Sequence, residues 1–335
     1  MRLLSEVPSE VGSLAAQQEG LVSVRQCCAA GVDRRRIRRL VQHGVWRWEG
    51  DRVIDTDPVP PSTRKRDDYF DHIRRRSAVK GLLVRPGAAA VGAAALALHG
   101  VAGLPRRIDP EVAFPRGARH RERDGVTVRQ YGNFETERYG SWRIAKIEHA
   151  LAQALPHLSR DDAVAVVSSA LNKGLLSRAG LVKVKKLLHG RRDAGQVLGW
   201  LGLADGNDDS PAETDARLSC IDHGVPPDRV QVVFHKDGRF LARCDLGWVL
   251  HDGRWLVVEI DGVGPHSKPE ALVKDAPRQN RLLATGRVVL LRFKPADNDQ
   301  PGGIGAVVAA RLEDLGGRTP PPDPPPDSTP GPVNL

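Results

Sequence analysis

The stretch RFLARCDLGWVLHDGRWLVVEIDG, residues 239–262, decides the fold of the C-terminal part of the chain. It contains two mostly apolar segments rich in β-branched and aromatic residues, Arg239–Leu250 and Arg254–Asp261. A short polar segment separates them. This pattern predicts two strands joined by a tight turn.

The turn sets the register of this hairpin. If residues 251–253 form a three-residue loop with Gly253 left-handed, which is a common hairpin connection, Leu250 pairs with Arg254. A two-residue turn at Asp252 and Gly253 would instead shift the pairing by one residue. Every side chain of one strand would then move to the other face.

Acids interrupt both apolar strands: Asp245 lies on the first, and Glu259 and Asp261 lie on the second. With the three-residue loop, Asp245 lies directly opposite Glu259, and Asp261 shares the face of Glu259. Opposed Cβ atoms are about 4.5–5.5 Å apart, and like charges there repel unless a cation lies between them. The hairpin therefore predicts half of a divalent-metal site. The two-residue turn would place Asp245 on the other face.

The composition favours an acidic partner. The chain has 335 residues, enough for two or three domains, and a net charge of +9. An excess of positive charge is typical of nucleic-acid binding. The arginines are spread over several segments without a strongly amphipathic basic helix, so a membrane surface is the weaker alternative.

Neither export nor membrane insertion is expected. The N-terminus has no apolar segment of signal-peptide length. The Ala/Gly/Val-rich run 87–104 is too short and too weakly apolar to span a membrane, which favours a buried helix. The four cysteines show no metal-ligand spacing and fit a reduced, cytoplasmic protein.

Residues 1–57 predict a winged helix-turn-helix. The expected order is a helix, a second helix opened by a capping box at Ser23 and Gln26, a third helix capped by Asp33, and a hairpin turning at Gly50-Asp51. In this arrangement the last helix enters the major groove of DNA.

The third helix carries the densest run of positive charge in the chain: Arg34, Arg35, Arg36, Arg38 and Arg39. Charge runs often only face solvent, which is the alternative interpretation. These arginines crowd two turns without an acid on the same helix, so we expect contact with DNA phosphates. If about five of them meet phosphate, the log–log salt slope should be about −4 to −5.

The remaining chain divides into four segments. Residues 58–80 are expected to form a linker and a basic segment, which adds to the positive surface or forms a solvated helix. Residues 81–207 predict a mixed α+β connecting domain. Residues 208–315 predict a helix, three antiparallel strands, a helix and a further strand. The Pro-rich segment 316–335 is expected to be disordered.

Two family resemblances are carried by short motifs. The pattern G-L-V-S (20–23), A-G-V-D (30–33), R-R-I-R-R-L-V (35–41) and G-V-W (44–46) resembles the N-terminal winged-helix domain of AbiEi-type antitoxins. The segments S-P-A-E (210–213), C-D-L-G-W (244–248), V-E-I-D-G (258–262), D-x-x-R (275–278) and L-L-R-F (290–293) resemble very-short-patch-repair (Vsr)-like endonucleases of the PD-(D/E)XK superfamily. The segment A-L-H-G (97–100) is similar to the region that joins the two domains in such proteins. The resemblance implies an α+β multidomain protein with a winged helix-turn-helix, a middle domain and a restriction-endonuclease-like α/β domain.

The nuclease resemblance also implies site residues. Asp245 and Glu259 match the metal-binding acids, Glu213 matches an acid on the preceding helix, and His266 matches a histidine of the family. Asp261 stands where the superfamily more often has lysine. Mg²⁺ or Mn²⁺ is the implied metal, because both suit carboxylate oxygens.

Further roles complete the expected site. Asp261 or Glu213 would complete or support the metal shell, and His266 would act as a general base or protonate the leaving group. Lys274 and Arg278 would hold the phosphate. Glu213 and Asp261 also suit ordinary helix-start and strand-end positions, which leaves a structural role open for each.

Two functions are therefore expected from the sequence. The first is a metal-dependent DNA endonuclease that the winged helix delivers to its substrate. The second is a non-enzymatic, antitoxin-like repressor of a type IV toxin–antitoxin system, which has a degenerate nuclease fold and binds DNA and a cognate toxin. Asp261 stands at a position where the superfamily more often has lysine, and this difference keeps the second function open.

Overall fold

The structure is a computed structural model that describes residues 7–57, 59–63, 66, 68–114, 117, 121–191, 193–261, 279–319 and 331–335. The chain divides into two compact units: Met1–Ala163 with Gly174–Gly199, and Val164–Lys173 with Trp200–Leu335. Both contain helices and a β-sheet, which confirms the mixed α+β class. No helix in the described part of the chain is long and apolar enough to cross a membrane.

The N-terminal part of the first unit combines three helices with a small sheet. Its elements are α1 (Ser9–Gln17), β1 (Leu21–Ser23), α2 (Val24–Ala29), α3 (Arg34–Gln42), β2 (Arg47–Trp48) and β3 (Val53–Asp55). The strands are antiparallel in the order β1-β3-β2. A core that includes Val22, Ile37, Leu40 and Ile54 joins the helices to this sheet.

Both predicted helix starts in this region are confirmed. Ser23 accepts the N–H of Gln26, whose side chain in turn accepts the N–H of Ser23 at 2.8 Å. The Asp33 carboxylate accepts the N–H of Arg36 at 2.7 Å. These caps satisfy donors that helix ends otherwise leave open, and they fix where α2 and α3 begin.

The predicted basic segment before residue 80 is largely a half-buried helix, α4 (Tyr69–Val84). Arg75 forms an ion pair with Glu19 at 2.7 Å. Arg76, whose side chain is 5% exposed, pairs at 2.8 Å with the fully buried Asp55. Arg74 donates to the carbonyl of Pro105 at 2.8 Å. Internal acceptors therefore bind these guanidinium groups, and the run 74–76 does not extend the positive surface.

The middle of the chain adds a second sheet with helices. Its elements are β4 (Ala89–Ala90), α5 (Gly92–Leu98), β5 (Glu111–Ala113), β6 (Thr127–Arg129), β7 (Thr136–Tyr139), β8 (Trp142–Ala145), α6 (Ile147–Ala154), α7 (Arg160–Asn172), α8 (Arg178–Leu188) and α9 (Ala194–Trp200). The strand order is β6-β5-β4-β8-β7. The buried helix predicted within the run 87–104 is α5.

The second unit is built on one five-stranded sheet. Its elements are α10 (Pro211–Asp222), β9 (Arg229–Lys236), β10 (Arg239–Val249), β11 (Trp255–Ile260), β12 (Val288–Phe293), α11 (Gly303–Asp314) and β13 (Val333–Asn334). The order is β12-β11-β10-β9-β13, with β9, β10 and β11 antiparallel and β12 parallel to β11. The first helix and the four strands β9 to β12 follow the predicted order, and the helix predicted between β11 and β12 falls mostly outside the described residues.

The two faces of this sheet have separate cores. Leu256 and Val258 of β11 pack with α10 and α11 on one face. Trp255 and Val257 pack on the opposite face, together with Phe234 of β9. The alternation along β11 is the pattern expected for a strand that is covered on both sides.

The expectation of a disordered tail needs correction at both of its described ends. The Thr319 N–H donates to the Val249 carbonyl at 2.9 Å. Val333 and Asn334 form β13, which pairs in parallel with β9, and the Leu335 N–H donates to the His235 carbonyl. The free edge of β9 supplies backbone partners for β13, which the composition of the Pro-rich segment does not reveal.

Candidate functional site

The hairpin at residues 239–261 has the predicted register. Gly253 has a φ of 77°, and the Leu250 N–H donates to the Arg254 carbonyl at 2.8 Å. The ladder continues to the pair Leu246–Val258. The next step of this register places Asp245 opposite Glu259, as the three-residue loop predicts.

The regular ladder ends beside Asp245. Its Oδ2 atom accepts the backbone N–H of Ile260 at 2.7 Å. A side chain therefore accepts a backbone N–H at the point where the backbone pairing of β10 with β11 stops. This hydrogen bond fixes the orientation of the carboxylate between the two strands.

A second irregularity lies on the other side of β10, at Gln231 of β9. Leu246 pairs with Val230, and both pack on the face covered by α10. Cys244 pairs with Val232, and both pack on the opposite face. The two strands thus exchange faces between these pairs, where Gln231 has a φ of 48° in the left-handed region.

Gln231 connects two of the predicted site acids. Its Nε2 atom donates to Glu213 Oε2 at 2.7 Å and lies 3.5 Å from Asp245 Oδ1. Its Oε1 atom is buried and has no hydrogen-bond partner within the described part of the chain. Gln231 is not among the predicted site residues, although it is a single amide in the otherwise apolar run VQVVFH, which is a usable signal.

Glu213 has a structural role as well as a place in the cluster. It lies in the first turn of α10, where it accepts the Ser210 hydroxyl at 2.8 Å and the Asp209 N–H at 2.9 Å. The start of this helix is anchored by a buried ion pair between Arg217 and Asp208 at 2.7 Å. These contacts fix the position of the Glu213 carboxyl, which accepts the hydrogen bond from Gln231.

The pKa of Asp245 responds to the charge of Glu259, and the pKa of Glu213 responds to the charge of Asp245. Burial raises the pKa of Asp245 to about 6, and the charge of Glu259 adds to the rise against the hydrogen bond from Ile260. Burial also raises the pKa of Glu213 to about 7, with the charge of Asp245 as a further cause. Clustered carboxylates with raised pKa values are a common feature of functional sites.

Glu259 has weaker neighbours. Its Oε2 atom accepts Gln279 Nε2 at 2.8 Å and lies 3.9 Å from Arg292 Nε. Its Oε1 atom is 3.8 Å from the thiol of Cys244. Gln279 therefore orients the carboxylate through Oε2. Among these contacts, the other oxygen, Oε1, has only the thiol of Cys244 as a donor, and a thiol is a weak donor.

Asp261 is bound by Arg292, which also lies 3.9 Å from Glu259. Both of its carboxylate oxygens accept hydrogen bonds from Arg292, one of them at 3.2 Å from Nε. This ion pair offsets the negative charge of Asp261. The repulsion described for Asp245 and Glu259 therefore does not apply to Asp261. The other predicted site residues, His266, Lys274 and Arg278, lie outside the described residues.

The donor set fits a hard divalent ion in its chemistry. Mg²⁺ prefers oxygen ligands, keeps several waters and is often held by one or two carboxylates with substrate phosphates. Asp245 and Glu259 offer two such carboxylates, and Glu213 lies next to Asp245 through Gln231. No group of three or more His, Cys, Asp or Glu residues is placed to hold a metal ion within the ranges that the structure describes.

The predicted DNA-binding arginines lie on α3. Ile37 and Leu40 of this helix are buried in the N-terminal core. Arg34, Arg35, Arg38 and Arg39 are exposed, and Arg36 is half-buried. Among the residues described, no carboxylate forms an ion pair with any of these four exposed arginines.

Helical geometry divides these arginines into two pairs. Residues four positions apart share a flank of the helix, so Arg34 lies above Arg38 and Arg35 lies above Arg39. Successive residues are about 100° apart, which places Arg35 and Arg39 opposite the buried side of α3. These two side chains point most directly into solvent.

No family model matches the chain. The chain is similar to two uncharacterized proteins of Mycobacterium tuberculosis, one from strain CDC 1551 / Oshkosh and one from strain H37Rv. Each is 26% identical over 197 residues, which cover 59% of this chain and 72% of the relative.

Proposed function

We propose that the chain is a DNA-binding protein with a metal-dependent endonuclease site at Asp245 and Glu259. The observation that carries the proposal is the position of these two carboxylates. They stand on opposite strands where the regular ladder ends, and the charge of one raises the pKa of the other. A divalent cation between them removes the repulsion.

In this proposal the N-terminal helices and strands form a winged helix-turn-helix. The order α1, β1, α2, α3 and the β2–β3 hairpin supports that architecture. The capped, arginine-rich α3 would contact DNA, with Arg35 and Arg39 on its outward side. The absence of described acidic partners for these arginines leaves their charge available to phosphates.

The second unit would contribute the restriction-endonuclease-like fold and the reaction. Mg²⁺ or Mn²⁺ would neutralise the phosphate and lower the pKa of an attacking water. Asp245 and Glu259 would be the carboxylates that hold the ion. Ile260 and Gln279 would orient these two carboxylates through the hydrogen bonds described above.

The protonation state of Glu213 would influence the proposed metal site. Burial raises the pKa of Glu213 to about 7, so in this proposal its carboxyl would be partly protonated at neutral pH. Gln231 links it to Asp245, so the protonation of Glu213 adjusts the negative charge beside the proposed ion. Its role would therefore be to support the metal-binding carboxylates.

The test uses full-length protein with supercoiled and mismatched DNA in the presence of Mg²⁺, Mn²⁺ or a chelator. We expect metal-dependent cutting that Asp245→Asn abolishes. The amide has nearly the same shape as the carboxylate but lacks the negative charge that would bind the metal ion. Asp299→Asn, at an exposed acid of the same unit, is the matched control and should cut normally. Intact DNA binding without cleavage under any of these conditions would refute the endonuclease.

A second candidate is a non-enzymatic DNA-binding regulator of the antitoxin type. The ion pair between Asp261 and Arg292 favours it, because it leaves no cationic lysine-like group at this position. The lack of a third metal-binding acid in the described ranges favours it as well. This regulator would bind DNA equally well with Asp245 or Asn at position 245, and a cognate toxin would be its protein partner.

A further inference from the structure

A cavity of about 600 Å³ lies beside α3 in the first unit. It is lined by parts of α2, α3, the β2–β3 hairpin and the C-terminal end of α4. Four arginines line it: Arg25 from α2, Arg34 and Arg38 from α3, and Arg52 from the turn of the hairpin. All four are exposed, so their charged groups are accessible to a ligand.

The charge of this cleft favours an anion. The four arginines form no ion pair with a carboxylate in the part of the chain that the structure describes. Asp51 is the acid among the lining residues, and the cleft therefore carries four positive charges against one negative charge. Positive groups that converge from three elements repel one another, and a bound anion relieves this repulsion.

The cleft also has a flat aromatic wall. The Trp48 side chain on β2 lines it and is 43% exposed. Leu83, Val84 and Pro86 provide further apolar surface. An exposed indole beside cationic groups suits a ligand with a planar ring and a negative charge.

The size and lining together point to one nucleotide. Ligand cavities commonly measure about 300–1,000 Å³, and a nucleotide combines a phosphate with a planar base. A paired base in a duplex stacks on its neighbours, whereas an unpaired base offers its face to an aromatic side chain. The cleft therefore suits an unpaired nucleotide better than a base inside a duplex.

We propose that this cleft binds an unpaired nucleotide, with the base stacked on Trp48 and the phosphate held by Arg34, Arg38 and Arg52. The nucleotide is either free or the unpaired part of a nucleic-acid strand. The site goes beyond the proposed function, because duplex contact by the outward pair Arg35 and Arg39 does not require Trp48. It is also independent of the acids in the second unit.

The first experiment measures the affinity of the full chain for a labelled single-stranded decanucleotide and for dAMP, each by direct titration. We expect Trp48→Ala to weaken binding about tenfold or more and Trp48→Phe to retain most of it, because the base loses or keeps a stacking partner. Arg52→Ala should also weaken binding, whereas Arg107→Ala, at an exposed arginine outside the cleft, should not. Binding of a blunt duplex should stay nearly unchanged in Trp48→Ala.

The second experiment reads occupancy at Cys28, which lines the cleft and is exposed, while the other three cysteines are buried. A nucleotide in the cleft should slow alkylation of Cys28. Protection by dAMP supports a free nucleotide as the ligand, and protection by the decanucleotide alone supports an unpaired strand.

The result that overturns the proposal is equally specific. It is an unchanged alkylation rate with both ligands, together with equal single-strand affinity for the wild type and Trp48→Ala. Unchanged duplex affinity in the double variant Arg35→Ala and Arg39→Ala, with an intact cleft, would overturn the duplex contact of α3 and leave the nucleotide site standing. The two proposals can therefore fail separately.

Discussion

Gln231 and Asp245 lie opposite each other on β9 and β10 at the position where both strands change the faces that their side chains cover. On one side of this position, Leu246 pairs with Val230 in one core. On the other side, Cys244 pairs with Val232 in the other core. The local change of direction brings the Asp245 carboxylate into the gap beside Ile260 and within 3.5 Å of the Gln231 amide.

The backbone of Gln231 gives a first prediction. In a regular strand, Gly is less stable than Ala by about 0.5–1 kcal/mol. At a φ of 48° the order reverses, because a Cβ atom costs about 1–2 kcal/mol in the left-handed region. We expect Gln231→Gly to have a higher free energy of unfolding than Gln231→Ala in urea titrations.

The matched control for this pair is Val233 on the same strand. It has no positive φ, so Val233→Ala should be more stable than Val233→Gly. The same order at both positions would mean that Gln231 has an ordinary strand conformation. Both Gln231 variants remove the donor to Glu213, so that loss cancels in the comparison.

The raised pKa values give a second prediction, concerning stability against pH. A carboxyl whose folded pKa exceeds its unfolded value binds protons more strongly in the folded state, and its stabilising effect is lost as pH rises. For Asp245 the window runs from 3.8 to about 6, and for Glu213 from 4.5 to about 7. Asp245→Asn mimics the protonated form at every pH.

We therefore expect Asp245→Asn to gain stability relative to the wild type as pH rises from about 4 to 7, by about 1–3 kcal/mol. The measurement is the difference in free energy of unfolding between the two proteins at each pH, without divalent ions. The difference cancels the titration of distant groups. A difference that is constant over this range would mean that Asp245 ionises as an ordinary surface acid.

Metal binding gives a third prediction. An ion that binds the folded state raises the melting temperature, and ionised carboxylates bind it better than protonated ones. We expect saturating Mg²⁺ or Mn²⁺ to raise Tm by several degrees at pH 8 and by much less at pH 5. Asp245→Asn should lose this shift and Asp299→Asn should keep it, as measured by thermal scans with a chelator reference.

Much of the local structure could be predicted from the sequence because short-range rules determine it. The left-handed Gly253 and the three-residue loop set the hairpin register, and the caps at Ser23 and Asp33 set two helix starts. The same register brought Asp245 and Glu259 to opposite positions. These features depend on neighbours within a few residues.

Other features depend on partners that are distant in sequence. The exchange of faces at Gln231 requires a positive φ, which glutamine seldom adopts. No local sequence motif predicts this conformation. Arg76 belonged to a run that suggested a positive surface, yet Asp55 binds it from a strand more than 20 residues away. β13 forms because the edge of β9 is free to accept it, which its own composition does not indicate.

The buried pair of Arg76 and Asp55 gives a fourth prediction. Removing Arg76 takes away the cation that pairs with the buried Asp55 and with Glu49, and breaking a buried ion pair costs about 3–5 kcal/mol. We expect Arg76→Ala to lower the free energy of unfolding by this amount, whereas Arg107→Ala should change it by less than about 0.5 kcal/mol. Replacing both Arg76 and Asp55 by leucine should recover a large part of the loss. If the pair behaved as a surface ion pair, Arg76→Ala would cause only a small loss and the double replacement would recover little.

The outward arginines of α3 give a last prediction, because each phosphate contact contributes a fixed amount to the salt dependence of DNA affinity. A protein that neutralises Z phosphates of a duplex has a log–log slope of about −0.9Z. If Arg35 and Arg39 each contact a phosphate, the double change Arg35→Ala and Arg39→Ala should reduce the magnitude of the slope by about 2. The affinity should fall on every duplex sequence alike, since phosphate contacts carry no base information.

The control for this measurement is Arg107→Ala, which removes one exposed positive charge of the same unit away from α3. It should leave the slope unchanged within error, although it lowers the net charge. An equal reduction of the slope in the control and in a single Arg35→Ala variant would mean that DNA responds to the overall charge of +9 and not to α3. Thermal scans of both variants should match the wild type, because neither side chain forms an ion pair with a described residue.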